Sequence, residues 1–293
     1  MLEIILKQLL NGITVGSIYS LIALGYTMVY GIIKLINFAH GDIYMVGAFV
    51  GLIVATQFSS NFIVVIAIAM ATTAIIGVLV EKVAYKPVRN SSRISALISA
   101  IGASIFISNL VVLINGPQRE AYPQIFPEIN FNVGGITISF LQIFIILVSI
   151  ALMFGLYYIV HNTKMGIAMR AVSQNLTTAR LMGINSDKII SFTFAIGSSL
   201  AAAAGVLVGT YYRAVDPLMG LLFGLKAFVA AVLGGIGSIP GAMIGGLVLG
   251  LAEVMGVAFI SPSFRDAIAF GILIFILIVK PSGLFGKATK EKV

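Results

Sequence analysis

Residues 62–80 read FIVVIAIAMATTAIIGVLV, a stretch without a single charged side chain. An α-helix rises 1.5 Å per residue and needs about 20 apolar residues to cross the hydrocarbon core of a bilayer. This stretch is therefore long enough to span a membrane. Similar stretches lie on both sides of it, and together they give nine candidate spans: 8–31, 43–58, 62–80, 94–114, 140–160, 189–210, 220–235, 241–259 and 266–280.

The composition of the whole chain leads to the same class of protein. Apolar residues make up 59% of its 293 residues and charged residues 10%, whereas soluble domains average roughly 45–50% and about 25%. A chain of this length cannot bury such an excess in water, because the buried fraction rises only slowly with chain size. The excess must face lipid. Because the chain contains no cysteine, disulfides and thiolate metal sites are excluded.

The net charge of +8 lies in short loops between the apolar stretches, a distribution that argues against nucleic-acid binding. Lys and Arg accumulate in the cytoplasmic loops of membrane proteins. Loops 81–93, 161–188 and 280–293 are therefore predicted to be cytoplasmic, and loop 115–139 external, with the N-terminus outside and the C-terminus inside. The bases concerned are Lys82, Lys86, Arg89, Arg93, Lys164, Arg170, Arg180, Lys188, Lys280, Lys287, Lys290 and Lys292.

The predicted fold is all-α, a single transmembrane domain over 1–293 built as a bundle of about eight or nine spans. The apolar sequence of 220–259 is interrupted by Gly234, Gly235, Gly237 and Pro240. This region is therefore two spans, a re-entrant segment, or the halves of a broken helix.

Glycines that recur every four residues predict close helix contacts. For most of them, packing within this bundle is favoured over an interface with a second membrane subunit. The sets are Gly12 and Gly16, Gly47 and Gly51, Gly205 and Gly209, Gly220 and Gly224, and Gly237, Gly241 and Gly245.

The loop 161–188 carries an apolar pattern at helical spacing that ends at Gly183, a residue typical of helix C-termini. It predicts a short amphipathic helix within 165–184, at the inner membrane surface. Such a helix rests on lipid or docks against a partner. The residues of the pattern are Ala168, Ala171, Val172, Leu176, Ala179, Leu181 and Met182.

Lys226 and Glu253 lie well inside predicted spans. A charged residue at mid-helix costs about 2.5–3.5 kcal/mol on insertion scales, so it needs a partner or a wet surface. Two interpretations stay open. The residues form an ion pair that ties two helices, or they line a transport path near the charged groups of a zwitterion.

The stretch INFAHGD at 36–42 separates two apolar segments and contains Asn37, His40 and Asp42. A surface turn explains Gly41 and Asp42, but not the neighbouring Phe38. We predict a helix interruption at membrane depth, with Asp42 near the start of the next helix, where the helix dipole favours an anion. These three polar residues join Lys226 and Glu253 as tentative path residues.

Enzyme chemistry is not indicated, and no catalytic residue is assigned. His40 and His161 lie far apart without a carboxylate at ligand spacing, so no metal site is expected. The tail 281–288 superficially resembles a phosphate-binding loop, but Pro281 stands where the first Gly belongs and Ala288 where Ser or Thr belongs. No nucleotide site is predicted in this chain.

An ordered series of motifs resembles the permease subunits of high-affinity branched-chain amino-acid ABC importers. The most specific is AVLGGIGSIPGA at 231–242. The resemblance extends from near residue 11 to about 283. The other motifs are GYTMVYGI at 25–32, INFAHG at 36–41, AYKPVR at 84–89, ALISAIG at 96–102 and LMGIN at 181–185.

The resemblance implies a multi-pass protein of the bacterial cytoplasmic membrane that imports Leu, Ile or Val. Its implied partners are a second homologous permease, two cytoplasmic ATPases that bind ATP and Mg, and an extracytoplasmic binding protein. This chain itself would bind no cofactor. The loop 161–188 then looks like the segment that couples an importer to its ATPases, with the implied coupling residues Arg170, Asn175, Ala179, Arg180, Leu181, Met182, Gly183 and Ile184.

Rival functions remain at this point. The external loop 115–139 departs from the family pattern, so a related substrate such as urea or an amide stays open. An ion-coupled secondary transporter that acts alone would favour several acidic residues in its spans, and only Asp42 and Glu253 qualify. A channel or scaffold would leave the amphipathic loop without a role.

Overall fold

The computed structural model describes residues 2–133 and 136–286. α-Helices dominate this part of the chain, with a π-helical turn at Glu81–Tyr85 and a 3₁₀ turn at Pro262–Phe264. The helices are α1 (Leu2–Ile33), α2 (His40–Gln57), α3 (Phe62–Val80), α4 (Arg93–Asn115), α5 (Phe140–Asn162), α6 (Lys164–Gln174), α7 (Leu176–Leu181), α8 (Ser186–Tyr212), α9 (Met219–Gly234), α10 (Ile239–Phe259) and α11 (Arg265–Val279).

Polar residues just outside the apolar runs determine where several helices begin. Ser92 Oγ accepts a hydrogen bond from the backbone N–H of Ser95 at 3.1 Å at the start of α4. Asn185 Oδ1 accepts one from the N–H of Lys188 at 3.1 Å at the start of α8. Such caps satisfy backbone donors that the first turn of a helix leaves free. The apolar runs therefore form the helices, and the caps fix their starts.

Within residues 2–133 and 136–286, seven helical segments are long and apolar enough to cross a membrane, judged by length and composition. They correspond to all of the predicted spans except 43–58 and 220–235, which are α2 and α9. Helix α9 is apolar but has only 16 residues, and α2 begins with His40 and Asp42. The helical bundle is confirmed, whereas the number of crossings and the orientation of the termini stay predictions. The basic tail 287–293 lies outside the described residues.

Helix α1 forms the centre of the bundle, in contact with α8, α9 and α10. The most apolar part of α1 is 94% buried, whereas that of α4 is only 17% buried. Outer helices instead expose large apolar side chains, among them Leu113, Phe154 and Ile278. An apolar surface of this extent fits a lipid environment, because soluble monomers rarely expose apolar patches larger than a few hundred Å².

Glycines bring the central helices into backbone contact. A Cβ at Gly16 of α1 would lie 2.8 Å from the Cα of Leu247 of α10, and a Cβ at Gly47 of α2 would collide with Ala202 of α8. Gly205 of α8 likewise leaves no space for a Cβ beside the backbone of α2. The predicted role in packing within the bundle is therefore confirmed for these residues.

The apolar region 220–259 forms two helices, α9 and α10, which pack against each other. Gly235 and Gly237, with φ of +102° and +94°, form the turn between them, and side chains rarely permit this conformation. The N–H of Leu284 donates to the carbonyl of Leu233 at 2.8 Å, so the segment after α11 covers the end of α9. The predicted interruption by glycines is confirmed as a turn between two helices.

The predicted helical bundle also carries four short strands in the loops of the part of the chain that the structure describes. Strand β1 (Glu120–Ala121) pairs antiparallel with β4 (Ala214–Val215). Strands β2 (Asn130–Val133) and β3 (Ile136–Ser139) pair antiparallel with each other. Strand β1 thereby ties the chain after α4 to the segment between α8 and α9.

Candidate functional site

The turn between α1 and α2 is partly buried, with Asn37 inside and Lys34 exposed, and neighbouring helices hold the polar side chains of Asn37 and His40. The Tyr85 hydroxyl donates to Asn37 Oδ1 at 3.0 Å. His40 Nε2 lies 3.2 Å from the carbonyl oxygen of Ile22, and the ring packs edge-on against Tyr26 with centroids 4.7 Å apart. The predicted helix interruption is confirmed, since α1 ends at Ile33 and α2 begins at His40.

Asp42 lies in the first turn of α2, as predicted, and is only 3% exposed. Its carboxylate accepts hydrogen bonds from Ser104 Oγ at 2.5 Å and Ser108 Oγ at 2.6 Å. The two serines are four residues apart and therefore share one face of α4. Gly220 of α9 closes the other side, since a Cβ there would lie 2.9 Å from Asp42 Oδ1. Asp42 thus links α2 to α4.

Lys226 and Glu253, predicted to face each other or a path, form an ion pair with Nζ and Oε1 3.2 Å apart. Both are buried. Lys226 Nζ also lies 2.8 Å from Asp266 Oδ1, and Glu253 Oε1 lies 3.2 Å from Arg265 Nε. The Tyr19 hydroxyl donates to Glu253 Oε2 at 3.0 Å. We call these five residues the Glu253 network.

The charges of the Glu253 network balance, with two cations against two carboxylates. A buried charge is tolerated only when it is paired and hydrogen-bonded, and this arrangement meets that condition. Arg265 and Asp266 were not predicted as members of this network, because they stand at the edge of the predicted span 266–280. Their signal was an adjacent pair of opposite charges immediately before the apolar run of α11.

A cavity of about 350 Å³ opens beside the Glu253 network, between α8, α9 and the start of α11. Three charged side chains, Arg119, Asp216 and Arg265, line it together with apolar side chains. Asp216 Oδ1 accepts a hydrogen bond from the backbone N–H of Leu218 at 2.8 Å. Sequence reasoning did not single out Arg119 or Asp216, because isolated charges in loops are usually solvated.

The predicted amphipathic helix within 165–184 is two helices, α6 and α7, separated at Asn175. Asn175 Oδ1 accepts from the N–H of Thr178 at 2.9 Å and so begins a new helix. Ala179 is buried, whereas Leu181 and Met182 are 83% and 78% exposed. The restart at Asn175 thus turns Ala179 toward the protein and leaves Leu181 and Met182 on the surface, and their contact with lipid or a partner stays a prediction.

The other implied coupling residues lie at two places in this segment. The Arg170 guanidinium donates to the carbonyls of Val160 and His161 at the end of α5, where it satisfies helix-terminal acceptors. Gly183 has φ +83° and lies two residues after the end of α7, and the N–H of Ile184 donates to the carbonyl of Ala179 at 3.0 Å. Thus α7 and its turn form a compact tip, while Arg170, within α6, contacts the end of α5.

Arg180, at the end of α7, takes part in a cluster of charges around Asp187. Asp187 Oδ1 lies 2.6 Å from Arg89 Nη2 and 3.4 Å from Arg180 Nη2, and Oδ2 lies 3.1 Å from Lys86 Nζ. Arg89 also lies 3.9 Å from the buried Glu81. We call these five residues the Asp187 cluster. It joins the tip of α7 to the π-helical turn after α3.

Known proteins match this chain over nearly its whole length. A family model described as "Branched-chain amino acid transport system / permease component" matches residues 8–277. The high-affinity branched-chain amino acid transport system permease protein BraD of Pseudomonas aeruginosa is 46% identical, over 98% of each chain. LivH of Escherichia coli K12, with the same descriptive name, is 45% identical over 98% of this chain and 97% of its own.

A more distant relative is the probable branched-chain amino acid transport permease protein LivH of Methanocaldococcus jannaschii. It is 29% identical over 97% of this chain and 94% of its own length. The similarity therefore runs from end to end and is not confined to one motif. The chain belongs to the family of permease components of branched-chain amino acid transport systems.

Proposed function

We propose that this chain is the membrane-spanning permease subunit of an ATP-driven importer of Leu, Ile and Val. The observation that carries the proposal is the 46% identity, over 98% of both chains, to a permease named for branched-chain amino acid transport. The implied assembly contains a second homologous permease, two cytoplasmic ATPases that bind ATP and Mg, and an extracytoplasmic binding protein. ATP hydrolysis belongs to those partners, and the bacterial cytoplasmic membrane is the proposed location.

The test is co-purification from native membranes, followed by reconstitution into proteoliposomes. A second permease and two ATPases should accompany the tagged chain, and leucine uptake should require both ATP and the binding protein. Uptake that continues without the ATPases and collapses with an ionophore would instead identify an ion-coupled secondary transporter. Uptake of urea or an amide in place of leucine would overturn the substrate class.

The proposed topology has eight or nine spans, of which an odd number cross the membrane, with the N-terminus outside and the C-terminus in the cytoplasm. It is supported by the basic residues of loops 81–93 and 161–188. The natural absence of cysteine permits a clean test with the single variants Ser91→Cys and Gln118→Cys, both at exposed positions. In intact spheroplasts an impermeant maleimide should label position 118 but not position 91. The opposite labelling would invert the topology.

The coupling proposal places the tip of α7 against an ATPase. Leu181 and Met182 are exposed side by side at the tip, and Gly183 turns the chain there. Adjacent exposed apolar side chains on a compact projection fit a cleft on a partner protein. Ala179 and Ile184 shape the tip from within, Asn175 starts its helix, and Arg180 connects it to the Asp187 cluster.

Leu181→Glu with Met182→Glu should abolish co-purification of the ATPases while the permeases stay assembled. Ile167→Glu is the matched control, because Ile167 is an exposed apolar residue on α6 away from the tip. Substitution of Arg170 is less informative, since its contacts with the end of α5 make it structural. Normal ATPase association in the double variant would rule out the tip as the coupling element.

The proposed cycle is alternating access, in which the closing ATPases move the tip and the bundle opens outward. Of the five tentative path residues, Lys226 and Glu253 belong to the Glu253 network. Arg265 of the same network lines the cavity between α8, α9 and the start of α11. We assign the path to that side of the bundle. Asn37, His40 and Asp42 form internal helix contacts in this state, so their exposure to the path would require the helices to move.

A further inference from the structure

The cavity beside the Glu253 network has the size and the lining of a small-ligand site. Its volume is about 350 Å³, near the lower end of the roughly 300–1,000 Å³ found for small-molecule sites. Met219, Leu222 and Phe223 supply apolar surface. The ring of Phe223 packs against Tyr44, with centroids 5.4 Å apart, so this wall is held in place. An aliphatic group of a few carbons fits such a wall.

The charges in the cavity match those of a zwitterion. Among the described residues, Glu253 is the only carboxylate within ion-pair distance of Arg265, and it approaches Nε at 3.2 Å. Glu253 is itself shared with Lys226. A guanidinium can bind a second carboxylate through its outer edge, with two parallel hydrogen bonds. Arg265 can therefore bind the carboxylate of a ligand while it remains paired with Glu253.

Asp216 supplies the opposite charge in the same cavity. Its Oδ1 accepts a hydrogen bond from the N–H of Leu218, and no cation of the described residues lies within ion-pair distance of its carboxylate. A carboxylate fixed by one backbone hydrogen bond has further lone pairs for an ammonium group. One cavity thus brings together a carboxylate, an apolar wall and two guanidinium groups, those of Arg119 and Arg265, of which Arg265 is anchored by Glu253.

We infer that this cavity is a binding site for a free aliphatic α-amino acid, with its α-carboxylate on Arg265, its ammonium group on Asp216 and its side chain against Leu222 and Phe223. The inference rests on the proposed function. In the proposed topology the site lies at the external end of the bundle, where a binding protein would release its cargo. Because the Arg265 side chain is about half exposed, water competes for its charge, and we expect weak binding with a Kd on the order of millimolar.

The test uses the assembled transporter with Leu222→Cys in this naturally cysteine-free chain. Leucine should slow alkylation of this cysteine by a maleimide. Leu221→Cys is the matched control, because Leu221 is also exposed but does not line the cavity. Leucinamide, which lacks the carboxylate, should give no protection. Protection by leucinamide equal to that by leucine would refute the role of Arg265.

A second substitution then tests Arg265 directly. In the Leu222→Cys background, Arg265→Gln should raise the leucine concentration needed for half protection by about tenfold or more. Arg265→Lys, which keeps a charge beside Glu253, should give an intermediate shift and guards against misfolding. Arg213→Gln is the control, since Arg213 pairs with Gln124 and Glu128 and lies outside this cavity.

The outcomes separate the site from the proposed function. If the complex imports leucine but leucine does not protect Leu222→Cys, the site is wrong and the function stands. If Arg265→Gln weakens association of the binding protein and leaves protection unchanged, Arg265 is a docking residue and the inference fails. If the complex with all partners imports no leucine, the proposed function and the inference fall together.

Discussion

Glu253→Gln is expected to destabilise this protein strongly, because it removes a negative charge from the centre of a buried network. Glu253 is 2% exposed and contacts Lys226, Arg265 and the Tyr19 hydroxyl. Breaking a buried ion pair by removing one partner costs about 3–5 kcal/mol, because the other charge stays buried without compensation. Lys226 keeps Asp266 at 2.8 Å, which places the expected loss at the lower end, about 3 kcal/mol.

The free energy of unfolding can be measured from the loss of helical circular dichroism as the purified chain is titrated with SDS in mixed micelles. Glu128→Gln is the control, because Glu128 pairs with Arg213 at 3.0 Å but its side chain is 71% exposed. Exposed pairs contribute about 0–1 kcal/mol, so this variant should differ little from the parent. The contrast between the two carboxylates isolates the effect of burial.

The double variant Lys226→Met with Glu253→Leu provides the decisive comparison. Replacing both members of a buried pair by apolar residues is often neutral or stabilising, and the remaining Arg265 and Asp266 are about half exposed and can be hydrated. The double variant should therefore be more stable than Glu253→Leu alone. Two results would refute this reasoning. One is a loss of unfolding free energy in the double variant equal to the sum of the losses in the two single variants, and the other is a loss below about 1 kcal/mol for Glu253→Gln.

Ser104→Ala and Gly25→Ala test the contacts of Asp42 and His40 at the start of α2, and Gly102→Ala on α4 is the control for the glycine substitution. Ser104→Ala removes the 2.5 Å hydrogen bond to the buried Asp42 and should cost about 1–3 kcal/mol in the same unfolding titration; an unchanged midpoint would contradict the contact. Gly25→Ala puts a Cβ into the His40 ring and should lower the yield of folded chain, whereas Gly102→Ala, with nothing within 4 Å, should stabilise α4 by up to about 1 kcal/mol. Equal yields of folded chain for Gly25→Ala and Gly102→Ala would show that a Cβ fits beside Gly25.

Apolar runs separated by charged or Gly- and Pro-containing loops were enough to predict most of the helices. The run 62–80 is helix α3 at the same residues, and 140–160 is α5 to within two residues. Long apolar helices are predictable because every backbone polar group in lipid must be satisfied within the segment. The hairpin of β2 and β3 was missed although FNVGGITIS at 131–139 carries its signal, an alternating apolar pattern around Gly-Gly.

The polar clusters were predicted only in part, because their members are distant in sequence. Lys226 and Glu253 stand out alone, since a charge inside an apolar run is costly. Their contacts with Arg265 and Asp266 depend on how α9, α10 and α11 pack, which periodicity does not specify. The Asp187 cluster is a similar case, because Arg89 and Asp187 are separated by 98 positions and each looks like an ordinary loop charge.

The distribution of tight contacts indicates which parts of the bundle can move during transport. At glycines, the backbones of α1 and α10 and those of α2 and α8 are in direct contact. If one helix of a pair slid past the other, Cβ atoms and carbonyl groups would collide. We therefore expect each pair to move as a unit. The contacts that can exchange partners are the charged ones, the Asp187 cluster beside α7 and the Glu253 network beside α9. Because ion pairs can be replaced by hydration whereas packed glycines cannot be replaced by anything larger, a rocking motion should break contacts at these two clusters and leave the glycine contacts intact.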